Sequence, residues 1–596
     1  MELENNVISY EDFCGKYAKE MNDVRKYNIA YGSKLKDSVR SDLILFVGSN
    51  LKDSDELSSI ISDTLANKGN KKVVAIAQKE IDAEILKNTI ETHRFRTEKA
   101  HEYLATAQTI VTDSILPFWF IRREEQTVIY LCSHNTLAQK TRIDRIPFST
   151  ALLKSSKIIV NDYNQLDKLH ELYGIKDVFY KSILEPDVPQ EKIDIILGKS
   201  MTAKEYIFKK EKETIAIYVK WNESPIIYPC IDYLTSQIDH TRFDVTLLLS
   251  TGLDDEISKL QIESLDKHVR VLQRKGTYCE TMEQYRKTQY LIRNMQKFEN
   301  VYDAYQKLDN NTLERERKKI WGDLSFDYVI GFGYIRAVWL TLLDMNNTKG
   351  KYYVEPRQQN NLFLPEADNS AKTHIYFNQN KLYSMIFDKI LFTCPDMTQF
   401  GIEKMKLDSN KICEFPISAN THVKEFKPIP LKLAKYRGQD YYVLDQNYFT
   451  PNKSRVDIIP VPKPNSYISD IRNQDIEELI SRFSQLYTNN ENLYIHGEVW
   501  SEIEPFVIRY DLESRVFSLG NTNWQFDKMG QFFEQLDGYV TTDNHERANA
   551  IRTFTEQLGL PSFELSESKI TKLEPEFADM SECREFVKTE FDRLFV

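Results

Sequence analysis

Basic residues that could hold phosphate groups are concentrated between residues 92 and 145. The chain has 78 basic and 89 acidic residues, so this local density of cations is unusual. Because guanidinium groups match phosphate oxygens in pairs, the segment predicts a phosphate-binding site. The alternative is that these side chains lie on solvated helix faces and form surface ion pairs. The candidates are His93, Arg94, Arg96, Arg122, Arg123, Lys140, Arg142 and Arg145.

His134 is the candidate general base. It follows the apolar run 128–132, which predicts a strand. The residue is therefore expected at the carboxyl end of that strand, where open parallel sheets form their ligand crevices. A histidine there suits proton removal from an acceptor hydroxyl, because the unperturbed imidazole titrates close to neutral pH. Asn135 and Thr136 follow it and could orient the acceptor or its phosphate. A purely structural role for His134 is the alternative.

Composition limits the classes of protein to which this chain can belong. Its 596 residues exceed one hydrophobic core and predict two to four domains. The net charge of -11 argues against nucleic-acid binding, which requires a basic surface. The seven scattered cysteines form no CxxC pair, which argues against disulfides and a zinc site. Neither a signal peptide nor a membrane span is predicted, so the expected location is the cytoplasm.

The elements that would position these residues alternate between strand and helix patterns. Apolar runs such as 43–47, 72–77 and 127–132 are separated by helical segments, which predicts a parallel sheet covered on both faces. A lysine-rich polar stretch and a proline-rich stretch then separate two further series. The predicted fold class is α/β with three Rossmann-like domains, at residues 1–200, 201–425 and 426–596.

The first of these domains resembles a known family. The phrase LATAQTIVTDSILPFWFIRREEQTVIYLCSHNTLAQKT resembles the CDP-glycerol glycerophosphotransferases that build teichoic acids, and a weaker resemblance extends from residue 43 to 197. The family's histidine falls on His134 and its threonine on Thr136. This chain departs from the family pattern at Asn135, where the family has glycine, and at 137–139, where it has proline, leucine and lysine.

From about residue 214 the chain resembles a retaining GT-B glycosyltransferase that uses nucleotide sugars. The phrases TIAIYVKWN and FDYVIGFGYIRAVWLTLL carry this resemblance, together with the closing segment 492–565. It implies that the last two domains form a GT-B pair and that Glu546 holds the donor ribose, although Phe554 stands where the family has a second glutamate. Glu546 as a helix-start residue is the alternative. Gly331, Gly333 and Arg336 form a candidate phosphate loop.

Together these resemblances imply a transferase of teichoic acid-type glycopolymer biosynthesis. It would move glycerophosphate or a sugar from a nucleotide-activated donor to a hydroxyl on a glycopolymer or glycosylated acceptor. No cofactor and no metal are expected. The alternative is a non-catalytic GT-B protein that binds or scaffolds an active glycosyltransferase. A protein partner or homo-oligomer, and peripheral contact with the inner face of the membrane through the charged helix 280–321, are left open.

Overall fold

The computed structural model of the chain describes most of the three predicted regions. The described residues are 23–48, 55–77, 90–95, 97–179, 182–199, 203–221, 227–250, 256–275, 279–287, 310–335, 337–344, 348–355, 380–392, 395–403, 405–414, 432–436, 439–443, 458–470, 476–487, 490–496, 500–520, 530–533, 535–542, 560–566 and 569–573. Among them, no helix combines the length and apolar character needed to cross a bilayer.

The first unit, residues 23–206, is built on an eight-stranded sheet in the order β3-β2-β1-β4-β5-β6-β7-β8. Every pairing is parallel except that of β7 with β8. Its elements in chain order are α1 Asp23–Lys34, β1 Arg40–Gly48, α2 Asp55–Asn67, β2 Lys72–Ala77, β3 Glu91–Arg94, α3 Glu98–Thr106, β4 Ala107–Thr112, β5 Thr127–Leu131, α4 His134–Leu137, α5 Arg142–Lys154, β6 Lys157–Ile159, α6 Tyr163–Tyr173, α7 Ile175–Val178, β7 Ser182–Glu185, α8 Pro189–Leu197 and β8 Lys204–Tyr206.

The second unit, residues 213–414, repeats this plan with seven parallel strands in the order β11-β10-β9-β12-β13-β14-β15. Strand β10 is buried along its whole length, because helices cover both faces of a parallel sheet. Its elements are β9 Glu213–Val219, α9 Ile227–Gln237, β10 Phe243–Leu249, α10 Glu256–Ser264, β11 Arg270–Gln273, α11 Asn310–Trp321, β12 Tyr328–Phe332, α12 Ala337–Asp344, β13 Gly350–Glu355, β14 Lys389–Phe392, α13 Pro395–Glu403 and β15 Ile412–Glu414.

A small antiparallel sheet and a third unit, residues 466–572, complete the described chain. The third sheet has six strands in the order β21-β20-β19-β22-β23-β24, and only β24 runs antiparallel to its neighbour. The small sheet contains β16 Lys432–Tyr436, β17 Gln439–Val443 and β18 Ile458–Pro460. The third unit contains β19 Ser466–Asp470, α14 Ile476–Leu486, β20 Asn492–His496, α15 Trp500–Arg509, β21 Val516–Gly520, α16 Gly530–Phe533, β22 Gly538–Thr541, β23 Ser562–Leu565 and β24 Ile570–Lys572.

The predicted α/β class with three Rossmann-like units is confirmed. In each large sheet the chain first builds strands in one direction from a central strand and then continues on the other side. This reversal lies between β1 and β4, between β9 and β12, and between β19 and β22. Strand β8 belongs to the first sheet because it pairs with β7. It therefore extends the first unit past the predicted domain boundary at residue 200.

The first and second units share a polar interface. The guanidinium of Arg270 bonds both carboxylate oxygens of Asp244 at 2.7 and 3.0 Å, and it also contacts the carbonyls of Tyr173 and Gly174 at 3.4 Å. Asp244 and Arg270 belong to the second unit, whereas the two carbonyls end helix α6 of the first. This buried ion pair therefore links the two units.

A buried lysine at the same interface predicts a pH dependence of stability. Lys154 is 1% exposed, and burial together with the charge of Lys319 lowers its pKa to about 7. In the unfolded chain the pKa returns to its ordinary value of 10.5. Between these two values the unfolded state binds more protons than the folded state, so this lysine makes the free energy of unfolding rise with pH from about 7 to 10.5.

We therefore expect the natural protein to gain stability relative to a Lys154→Met variant as the pH rises over this range. Methionine is one atom shorter than lysine, unbranched like it, and carries no charge. Denaturant titrations of both proteins at several pH values measure the difference. A constant difference from neutral to alkaline pH would show that Lys154 does not titrate in the folded interface.

Candidate active site

The candidate site lies at the carboxyl edge of the first sheet, beside the reversal between β1 and β4. Parallel strands that leave a central pair in opposite directions open a crevice at this edge. Strand β4 is followed by Asp113 and Ser114, and the adjacent strand β5 is followed by Ser133 and His134. The predicted position of His134 is confirmed by these strand ends.

Ser133 fixes the turn that presents His134. Its hydroxyl donates to the carbonyl of Asp113 at 3.1 Å and accepts the backbone N–H of Thr136 at 3.4 Å. It thereby caps the short helix α4 and ties it to the end of β4. His134 is the first residue of that helix, and its side chain is exposed, as is Asn135. The imidazole is therefore accessible to an acceptor that enters the crevice.

Thr136, predicted as a substrate contact, faces the core from helix α4. It is fully buried, and its hydroxyl lies 2.9 Å from the hydroxyl of Tyr130. The hydroxyl of Tyr173 donates to its carbonyl at 2.7 Å. Burial raises the pKa of Tyr130 and of Tyr173 above the ordinary tyrosine value, so both phenols stay protonated. This network holds helix α4 in place from below.

Arg122 and Arg123 do not join His134, because they precede β5 and lie at the opposite, amino edge of the sheet. The five residues of β5 separate the two edges by about 16 Å. Arg122 forms an ion pair with Asp323 of the second unit, and burial lowers its pKa. Arg123 donates to the carbonyls of Asp37 and Ala105. Both are therefore engaged by groups of the protein, and the structure does not bring them together with His134.

Arg142, another predicted phosphate ligand, is also engaged within the protein. It is 7% exposed and donates to the carbonyls of Leu265 and Asp266, each at 2.9 Å. Both carbonyls belong to the second unit, so Arg142 is an interface residue. Lys140 lies two residues earlier and is exposed near the end of helix α4. Lys140 is therefore a predicted cation that is exposed to solvent at the same edge of the sheet as His134.

Arg94 lies at the correct edge of the sheet but far from His134. It ends strand β3 and is exposed. Four strand spacings separate β3 from β5 in the sheet order, which corresponds to about 19 Å. A single phosphate beside His134 is therefore out of its reach. Arg96 lies outside the described residues.

The sequence interpretation missed the residues that shape the crevice. Asp113 is 7% exposed and follows β4 directly, so its backbone carbonyl receives the Ser133 hydroxyl. Tyr130 and Tyr173 support helix α4 from the core. Asp113 could have been identified from the sequence, because it directly follows the apolar run Ala107–Thr112. His134 was identified in the same way, from its position after the apolar run of β5.

The candidate phosphate loop of the second unit has another explanation in the structure. A Cβ on Gly331 would lie 2.3 Å from Cδ1 of Ile335, so glycine is required there for packing. Gly333 adopts a left-handed φ of 67° and donates its N–H to the carbonyl of Val354 at 3.0 Å. These roles account for both glycines without a ligand. Arg336 lies outside the described residues.

A second crevice edge, not predicted from the sequence, lies at the reversal of the second sheet. Lys220 follows β9, and its ammonium lies 5.3 Å from the ring centroid of Tyr334, which follows β12. A cation over an aromatic face at this distance is favourable.

In the third unit, Arg482 donates to the carbonyls of Thr542 and Leu565, which fixes the turn after β22. Glu546 lies outside the described residues.

Comparison with known proteins supports the family resemblance of the first unit. Residues 29–171 match the family model described as CDP-Glycerol:Poly(glycerophosphate) glycerophosphotransferase. The predicted resemblance around His134 is thereby confirmed over α1 to α6. A search of the curated proteins gives no match.

Three solved structures illustrate the structural similarity. A sucrose-phosphate synthase from Thermosynechococcus elongatus is 12% identical, with 59% of this chain and 80% of that chain covered and a TM-score of 0.33. A glycosyltransferase from Rickettsia africae is 12% identical, with 64% and 88% covered and a TM-score of 0.33. The wall teichoic acid polymerase TagF is 11% identical, with 58% and 78% covered and a TM-score of 0.22.

Proposed function

We propose that this protein is a transferase of cell-wall or surface glycopolymer biosynthesis. It moves glycerophosphate or a sugar from a nucleotide-activated donor to a hydroxyl of the polymer or of a glycosylated acceptor. The observation that carries the proposal is the family match over residues 29–171, within which His134 occupies an exposed position at the carboxyl edge.

His134 acts in this proposal as the general base. It removes the proton of the acceptor hydroxyl while the oxygen attacks the phosphorus of activated glycerophosphate or the anomeric carbon of an activated sugar. The bond from that atom to the nucleotide phosphate breaks, and the leaving nucleotide keeps the electron pair. Lys140, which is exposed near the end of helix α4, balances negative charge on the leaving nucleotide in this proposal. No metal is needed for these steps.

The proposed setting is the cytoplasm, with peripheral contact at the inner face of the membrane. The second and third units are proposed to form a GT-B pair that binds the donor between them. A homo-oligomer or a protein partner remains compatible with this arrangement. Nucleic acid is not a proposed partner, since the chain has a net charge of -11.

A non-catalytic binding or scaffolding role is the second candidate, and two observations favour it. Three of the cations expected to hold phosphate, Arg122, Arg123 and Arg142, bond groups of the protein instead. The residues after His134 also depart from the family pattern at Asn135 and at 137–139. Such a protein would bind a glycan or an active enzyme rather than a nucleotide.

A donor screen separates the two candidates. We expect the natural protein to release the nucleotide from CDP-glycerol, CDP-ribitol or a UDP-sugar, and to do so faster when an acceptor polymer is added. Release is measured by chromatography of the nucleotide product, and binding of each donor is measured by calorimetry. Absence of both binding and release across the panel would contradict the transferase proposal and support the scaffold.

A further inference from the structure

We propose that His240, Asp266 and His268 form a binding site for a divalent transition metal ion of the zinc type. One ligand atom from each residue lies within 4.8 Å of the others. The proposal is independent of the transfer reaction, because these residues lie at the amino edge of the second sheet. The crevices with proposed donor or acceptor roles are at the carboxyl edges.

Two neighbouring loops supply the three ligands. His240 lies between helix α9 and strand β10, and Asp266 and His268 lie between helix α10 and strand β11. Strands β10 and β11 are adjacent and parallel, so the loops that enter them meet at one edge. An ion bound there would fasten the two strand entries to each other.

The distances are those of a site that needs little rearrangement. Oδ1 of Asp266 lies 2.8 Å from Nδ1 of His268 and 3.7 Å from Nε2 of His240. Ligand bonds of about 2.0–2.1 Å in tetrahedral geometry place ligand atoms about 3.3 Å apart, a value between these two. The two imidazole rings are nearly parallel, with centroids 5.2 Å apart and an interplanar angle of 28°.

The surrounding contacts hold Asp266 in a defined position before any ion binds. The backbone N–H of His268 donates to Oδ1 of Asp266 at 2.9 Å. Arg142 of the first unit donates to the carbonyls of Leu265 and Asp266. The side chain of His240 is 11% exposed and that of His268 is 51% exposed, so the first imidazole is partly buried and the second faces solvent. An ion can therefore enter from the His268 side.

The ligand set selects the class of metal. Imidazole nitrogens with one carboxylate suit Zn²⁺ and its neighbours among the transition metals, whereas Mg²⁺ and Ca²⁺ prefer oxygen ligands. Nε2 of His240 donates its N–H to the carbonyl of Thr235 at 2.9 Å, so the incoming ion replaces this proton and finds the carbonyl oxygen next to the site. A fourth position filled by that oxygen or by water gives a structural ion. Its effect is to stiffen the loop on which Arg142 docks.

Calorimetry with ZnCl₂ on the untagged, chelator-treated full chain tests the proposal. We expect one equivalent of Zn²⁺ to bind the natural protein. In His240→Ala and His268→Ala the dissociation constant should rise by more than about 100-fold, because loss even of outer-shell partners costs about 10- to 100-fold. His268 is half exposed, so its replacement is not expected to disturb folding.

His93→Ala is the matched control, since Nε2 of His93 also contacts a carboxylate, that of Glu91 at 2.9 Å, but in the first unit. X-ray absorption of the bound Zn²⁺ should show nitrogen and oxygen ligands. In the natural protein the ion should also slow hydrogen exchange in the loops before β10 and β11. It should have no such effect in either ligand variant. Absence of binding, an equal loss in His93→Ala, unchanged affinity in both ligand variants, or sulfur ligands would each overturn the proposal.

Discussion

Replacement of His134 by alanine is expected to lower turnover by about 10²- to 10⁴-fold, the usual contribution of a general base. The fold should persist, because the imidazole is exposed and helix α4 is held by the Ser133 cap and by the Thr136 network. The measurement is the initial rate of nucleotide release with a donor that the natural protein turns over. Circular dichroism of the variant checks its fold.

Two further variants make this result specific. His134→Gln keeps a polar side chain without a basic nitrogen, so its activity should fall as far as that of the alanine variant. Gln139→Ala is the matched control, because the Gln139 amide only donates to the Asn135 carbonyl at 2.7 Å on the same turn. Its turnover should stay close to natural. Full turnover in His134→Ala would place the base elsewhere in the molecule.

The strands were predictable because each is a short apolar run buried in a parallel sheet. Runs 43–47, 72–77 and 127–132 coincide with β1, β2 and β5 to within a few residues. Strand β3 was not recognised, because its residues Glu91–Arg94 are polar and lie at the sheet edge. An edge strand buries fewer side chains, so it carries a weaker apolar pattern.

The position of His134 was also predictable. It follows a strand recognised from the sequence, and the residues after a parallel strand lie at the carboxyl edge of the sheet. The grouping of the arginines was not. Arg122 and Arg142 lie 20 residues apart in sequence on either side of β5, and proximity along the chain suggested one cluster. In the fold, Arg122 meets Asp323 and Arg142 meets Leu265 and Asp266. These partners belong to the second unit, and no pattern in the sequence around the arginines predicts them.

The same limit applies to His240, Asp266 and His268. The sequence search for metal sites relied on cysteine pairs, and the seven cysteines gave none. A cluster from two loops appears only after β10 and β11 pair. Chemistry that depends on one element can therefore be predicted from this chain, whereas chemistry that depends on contacts between elements requires the structure.

Breaking the buried ion pair between Asp244 and Arg270 is expected to have the largest effect on stability. Both side chains are 5% exposed. Arg270→Met would leave the Asp244 carboxylate buried without its cation, which typically costs about 3–5 kcal/mol. The variant also loses the contacts of Arg270 with the Tyr173 and Gly174 carbonyls, so the first and second units should be held together less firmly. Urea titration combined with hydrogen exchange of the β10 and β11 amides measures the loss.

The cost should come mainly from the uncompensated carboxylate, and a second substitution tests this. Asp244→Leu together with Arg270→Met removes both charges, and most of the lost stability should return, because apolar replacement of a buried pair is often neutral or stabilising. Lys349→Met is the control for an exposed pair in the same unit: Lys349 pairs with Glu213, its side chain is 55% exposed, and its loss should cost less than about 1 kcal/mol. If the double variant is as unstable as Arg270→Met, the interface depends instead on the bonds from Arg270 to the carbonyls that end helix α6. The hydrogen exchange of that helix end would then rise equally in both variants.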